Sequence, residues 1–87
     1  MRLKQIANNM TVITFANGRD VLFSYETPVA TFISGEGFSK TEEYWSKTTN
    51  SHITKWRKLL FGSDGYEDYK VTERPQSFFN NLVNIDD

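Results

Sequence analysis

The first forty residues read as β structure, with apolar runs broken by turn residues, and the period lengthens toward that of a helix only after residue 48. Met10 to Phe15 is rich in β-branched and aromatic side chains, which suit a pleated, half-buried surface. Asn17-Gly18 follows, a pair able to adopt the positive φ angles of a type I′ hairpin turn. Asp20 to Tyr25 continues the alternation and places Val21, Phe23 and Tyr25 on one face. These two segments predict an antiparallel hairpin. An initial strand over Arg2 to Ala7 fits a weaker alternation, with Asn8-Asn9 as its turn. Thr27-Pro28 interrupts the run, because proline cannot donate to a central ladder. Val29 to Ser34 reads as a further strand, Gly35-Glu36-Gly37 as a turn, and Phe38 to Thr48 as a fifth strand. Thr41 to Trp45, at the heart of that last segment, equally suits the opening of a helical turn.

Beyond it, Thr48, Thr49, Asn50 and Ser51 offer side-chain oxygens for a helix N-cap. Ile53, Trp56 and Leu60 then recur on one helical stripe, and Gly62 supplies a stop. Ser63-Asp64-Gly65 reads as loop, and Tyr66 to Thr72 as loop or a short edge strand. Pro75 fits the first turn of a final helix that carries Phe78, Phe79, Leu82 and Val83. Strands first and helices second is an α+β order. The expected architecture is an antiparallel sheet of four to five strands with two helices packed on one face. It forms a single domain over residues 1–83, and residues 84–87 form a frayed tail.

A chain of 87 residues is enough for one domain and one hydrophobic core. Aromatic residues make up 15% of it, and each removes a large area from water, so a small core is attainable. There is no cysteine, which excludes disulfides and thiolate metal sites and points to a reducing compartment, the cytoplasm. No apolar run suits a signal peptide or a membrane span, and no membrane contact is expected. The net charge of −1 gives no global pull toward nucleic acid, yet it conceals a polarity. Lys40, Lys47, Lys55, Arg57 and Lys58 oppose only Glu42 and Glu43 in the middle, whereas Asp64, Glu67, Asp68, Glu73, Asp86 and Asp87 make the last third acidic.

Catalytic templates fail for want of parts, and the chain reads as a binding protein rather than an enzyme. His52 is the one histidine; its neighbour Ser51 cannot face it on a helix, so an exposed or capping role is expected. One histidine and no cysteine leave no zinc site, and nothing points to a cofactor. Glu42-Glu43, Glu67-Asp68 and Asp86-Asp87 read as solvated charges, since strand neighbours point apart. Gly35-Glu36-Gly37 lacks the lysine and following helix of a phosphate loop.

The segment from Ser46 to Lys58 is different. It concentrates hydroxyl, amide and basic side chains at a helix N-terminus, whose amides favour phosphate. Lys47, Thr49, Ser51, His52, Lys55, Arg57 and Lys58 are the candidate contacts for nucleic acid or another partner. Tyr25, Phe32, Phe38, Tyr44, Trp45, Tyr66 and Tyr69 exceed the needs of one small core. Some of them, exposed on a sheet face away from the helices, would stack bases or anchor a protein. An uncovered face or edge strand would also serve a homodimer.

Val21 to Ala30, Lys40-Thr41, Ser46 to Trp56 and Pro75 to Phe79 together resemble a family of small uncharacterised proteins encoded by bacteriophages and other mobile or environmental genomes. That resemblance covers most of the chain. It implies an accessory role in a phage or its host, and no activity, cofactor or site residue.

Two readings of function follow. The first is an accessory module contacting nucleic acid through segment 46–58. The second is a protein–protein module that modulates a host or phage protein through aromatic surface residues.

Overall fold

The computed structural model describes residues 2–15, 18–33, 35–62 and 70–85. Five strands pair in chain order as an antiparallel meander: β1 (Arg2–Ala7), β2 (Met10–Thr14), β3 (Arg19–Ser24), β4 (Thr27–Ile33) and β5 (Gly37–Thr41). A sixth, β6 (Val71–Arg74), lies beside β5 and runs parallel to it. The sheet is therefore larger than the expected four to five strands, and mixed rather than antiparallel. The cause is the helix α1 (Lys47–Phe61), which carries the chain back before it re-enters the sheet, the crossover that a parallel neighbour requires. Strand β5 is also shorter than expected. It ends where the Glu43 amide turns to the Thr41 hydroxyl at 3.2 Å.

The turns follow their residues except at Thr27-Pro28, which does not interrupt the sheet but lies inside β4 beside the irregularity between Leu22 and Phe23, the turn falling at Tyr25-Glu26. Phe15 N–H donates to Arg19 O at 2.8 Å and Gly18 N–H to Phe15 O at 3.1 Å, which closes the connection between β2 and β3. Gly18 takes the positive φ (85°) this closure uses, and Asn17 lies outside the described residues. Glu36 N–H returns to Ile33 O at 2.9 Å across the turn at Gly35-Glu36.

Register decides which side chains share a face. Val12, Leu22, Ala30 and Lys40 form one row across β2 to β5, and Ile13, Val21, Thr31 and Ser39 the next, on the opposite face. On the first face, Ile53 and Trp56 of α1 are buried with Met10, Leu22, Val29, Ala30 and Phe38. On the second, Phe79 and Leu82 of α2 (Gln76–Ile85) are buried with Phe15 and Val21. The helices thus lie on opposite faces, not on one. Val21-Leu22-Phe23 is apolar on both sides of its strand, and such a strand needs cover on both.

Helix α1 is capped by Ser46, upstream of the expected candidates: Ser46 Oγ accepts from Thr49 N–H at 3.1 Å while its own backbone stays extended. Gly62 ends the helix as expected, at φ 90°, donating to Lys58 O at 2.8 Å. Pro75 stands one residue before α2, its carbonyl accepting from Phe78 N–H at 2.9 Å. No helix among the described residues is long and apolar enough to cross a membrane.

Two cores on opposite faces should respond independently. Ile53→Val should cost about 1 kcal/mol and Leu82→Ala about 2–4 kcal/mol. The double variant, followed by urea denaturation, should equal their sum to within about 0.5 kcal/mol. A coupling above about 1 kcal/mol would contradict the separation.

Candidate functional site

The connection from β5 into α1 passes around the end of the sheet and leaves aromatic rings in solvent. Tyr44 is 67% exposed and Trp45 44%. Trp45 is nevertheless fixed: its Nε1–H donates to Gln76 Oε1 at 3.1 Å. Gln76 Nε2 in turn donates to Pro28 O at 2.7 Å and to Asn80 Oδ1 at 3.1 Å. The first residue of α2 thus ties this loop to the start of β4. Facing Trp45 across a groove of about 190 Å³ stands Tyr25, 53% exposed, with Ser24, Thr27, Val29, Ser46 and Thr49 completing the walls.

Tyr25 occupies the β3–β4 turn rather than the expected strand face, at φ 60°. A bulky side chain in that left-handed region costs about 1–2 kcal/mol and is uncommon. Two contacts hold it there. Its N–H donates to Asn9 O at 2.7 Å, and its ring lies 6.0 Å from the His52 imidazole. Strain of this kind recurs where a side chain must be presented.

Beneath the groove runs a chain of hydroxyls. Ser46 Oγ donates to Thr49 Oγ1 at 3.3 Å, Thr49 Oγ1 meets Ser24 Oγ at 3.0 Å, and Ser24 Oγ meets His52 Nδ1 at 2.8 Å. Run in one direction, each hydroxyl donates to the next and Nδ1 accepts, which leaves the imidazole proton on Nε2. Burial, and then the Lys55 ammonium, hold His52 below the usual imidazole range. The neutral ring is the form that this chain uses. Ser24 and His52 have the spacing of a nucleophile and its base. Ser24, however, is only 2% exposed, and its oxygen is enclosed by Thr49 and His52. The pair fastens α1 to β3.

The seven residues singled out in the sequence therefore separate. Lys47, Ser51, Lys55 and Lys58 are exposed, and the helical period puts them within about 80° of arc on the outer face of α1. Thr49 is buried in the hydroxyl chain. His52 is half-buried against Ser24 and Tyr25, not exposed or capping. Arg57 turns toward the sheet, its guanidinium 6.0 Å from the Phe38 ring centre. Of the surplus aromatics, Phe38 is buried and Phe32 half-buried, while Tyr66 and Tyr69 lie outside the described residues. The exposed rings gather at the end of the sheet, since both faces carry a helix. Ser24 and Gln76 escaped the sequence reading because nothing local marks a serine inside a strand or a glutamine after a proline.

Charge divides the site. Helix α1 carries no acidic residue, while the turns bearing the rings contribute exposed Glu26, Glu42 and Glu43. Among the described residues no group of three or more His, Cys, Asp or Glu side chains is placed to hold a metal ion.

A mixed sheet between two helices, with an aromatic groove beside a basic helix face, defines a small α+β module. The chain belongs to a family of unknown function, DUF8033, whose family model matches residues 1–81. Comparisons with curated proteins and with solved structures find no match.

Two measurements check this geometry. A histidine held neutral when folded destabilises the fold as pH falls below its unfolded pKa, because the unfolded chain then binds the proton more readily. Stability should be level above about pH 6.5 and decline on acidification toward pH 5.5; as His52 is the one histidine, His52→Gln should flatten that slope. Tyr25→Gly should leave thermal stability equal or higher, since relief of left-handed strain offsets the lost ring contact. A clear loss of stability would show that the ring supports the fold.

Proposed function

We propose that the protein is a binding module for single-stranded nucleic acid, which lays phosphates along the outer face of α1 and stacks bases on the rings at its start. One observation supports this above others. Exposed Tyr25, Tyr44 and Trp45 stand at the same end of α1 from which exposed Lys47, Ser51, Lys55 and Lys58 extend. Rings beside a cationic track are what a single strand requires, because its bases offer open π faces and its backbone a line of charge. A duplex keeps those faces covered. Glu26, Glu42 and Glu43 repel phosphate from the rings themselves, which assigns the backbone to α1 and the uncharged bases to the groove.

This revises the contact set. Arg57, over Phe38, and buried Thr49 drop out, while His52 acts through the placement of Tyr25. The accessory role in a phage or its host, in the cytoplasm, belongs to the same proposal and rests on the resemblance of the segments quoted above. The carboxylates beside the rings favour one competing reading, a basic surface of a protein partner docking on the aromatics.

Fluorescence anisotropy with labelled oligo-dT at rising salt tests the proposal. Changing Lys47, Lys55 and Lys58 together to Ala should weaken binding and reduce the salt slope by about 2, at roughly 0.7 per phosphate contact. Trp45→Ala should weaken binding at least about fivefold and leave the slope alone. Glu42→Gln with Glu43→Gln should tighten it. Binding absent at low salt would overturn the proposal, and a protein partner retained at high salt but lost with Glu42→Gln and Glu43→Gln would replace it.

A further inference from the structure

Two large apolar side chains stand in solvent far from the aromatic groove: Leu3, 69% exposed, and Leu59, 59% exposed. Leu59 stands on the wall of a groove between α1 and β1, and Leu3 on the other face of that strand. Helix α1 packs mainly over β3 and β4, and only its edge reaches the β1–β2 side of that face. There a groove of about 390 Å³ opens, with Ile6, Val12, Trp56 and Leu60 as its apolar lining, Leu59 on the helix wall and Lys4 on the strand wall. Strand β1 is the first in the sheet order, so its outer edge pairs with no strand among the described residues.

We propose that this edge and groove bind an extended peptide segment of a partner protein, added to the sheet beside β1, with one acidic and two aliphatic side chains. The backbone edge supplies the ladder, and pockets for alternate side chains supply the choice. Charge identifies the partner. Neither wall, β1 or α1, carries an acidic residue, while Lys4 is exposed on one and Lys55 lies one turn before Leu59 on the other. Asp20 is the one carboxylate among the residues that line the groove.

Register adds the pattern. Lys4 pairs with Val12 and so faces α1; Ile6, at the irregularity between Gln5 and Ala7, lines the same groove, and Leu3 pairs with Ile13 on the opposite face. A strand beside β1 therefore sets an acidic residue against Lys4 and aliphatic residues against Ile6 and Leu3. For an antiparallel peptide the order is aliphatic, any, acidic, aliphatic. A second copy of this chain fits poorly. Strand β1 carries no acidic residue, so no two-fold register of β1 on β1 sets a carboxylate against Lys4.

The test is an NMR titration of the full chain with a capped synthetic peptide of sequence Thr-Val-Thr-Glu-Val-Thr, and with its counterpart carrying Lys for Glu. The acidic peptide should shift the amides of Lys4, Ile6 and Leu59, and bind about three- to fivefold tighter than the basic one. Lys4→Glu, an exposed change whose fold is checked by circular dichroism, should reverse that order. The proposal is overturned if neither peptide binds, if both bind equally, or if the shifts fall on Tyr25 and Trp45. Concentration-dependent shifts of β1 without peptide would give the edge to a second copy, and displacement of peptide by oligo-dT would give the groove to nucleic acid. Peptide binding that persists while oligo-dT fails to bind would uphold this proposal and defeat only the nucleic-acid one.

Discussion

The structure depends on the burial of both faces of β3 and β4. Val21 and Leu22 are adjacent, fully buried and on opposite sides of one strand, so neither face can be left to water. Two short helices supply the cover, one on each side. That requirement shapes everything around it. The chain must leave β5, cross one face as α1, rejoin the sheet as β6, and then cross the other face as α2. Between β5 and α1 it has to round the end of the sheet, and there Tyr44 and Trp45 are carried into solvent.

Polar contacts then turn a crossing point into a defined surface. Ile53 and Trp56 hold the middle of α1 on the sheet, while Thr49, Ser24 and His52 hold its start. Gln76 links α2 to Trp45 and β4 together, so the groove is assembled from elements on both faces. A buried serine, threonine and half-buried histidine are tolerable because each finds a partner; left unpaired, such groups cost about 1–3 kcal/mol. The strain at Tyr25 is accommodated by the same contacts, as its amide and ring are both engaged.

Much of the fold is legible in the sequence. Runs of β-branched and aromatic residues between turn residues mark β2 to β4, a weaker alternation marks β1, glycine marks the end of α1, and the spacing of Ile53, Trp56 and Leu60 marks its stripe toward the sheet. What alternation cannot reveal is which helix covers a strand that is apolar on both sides, and Val21-Leu22-Phe23 is such a strand. Val71 to Arg74 is too short to announce its direction, which depends on where α1 delivers the chain. The cap at Ser46 was hidden by the hydroxyl-rich residues after it. The site was half visible: its rings and lysines stand out by composition, but Ser24 and His52 meet from distant parts of the chain through sheet and helix packing.

The parallel edge has a consequence for the order of assembly. Strands β1 to β5 each pair with a sequence neighbour, so the meander closes through short loops, whereas β6 joins β5 only across the long connection that holds α1, a closure of higher entropic cost that is expected later. During that interval β5 is itself an open edge, long enough for another nascent chain to pair with. Lys40 sits in the middle of β5, where an unpartnered ammonium discourages such encounters, and in the finished sheet it lies 3.8 Å from Glu73 of β6. The same residue first guards the growing sheet against its own kind and then receives the strand that completes it.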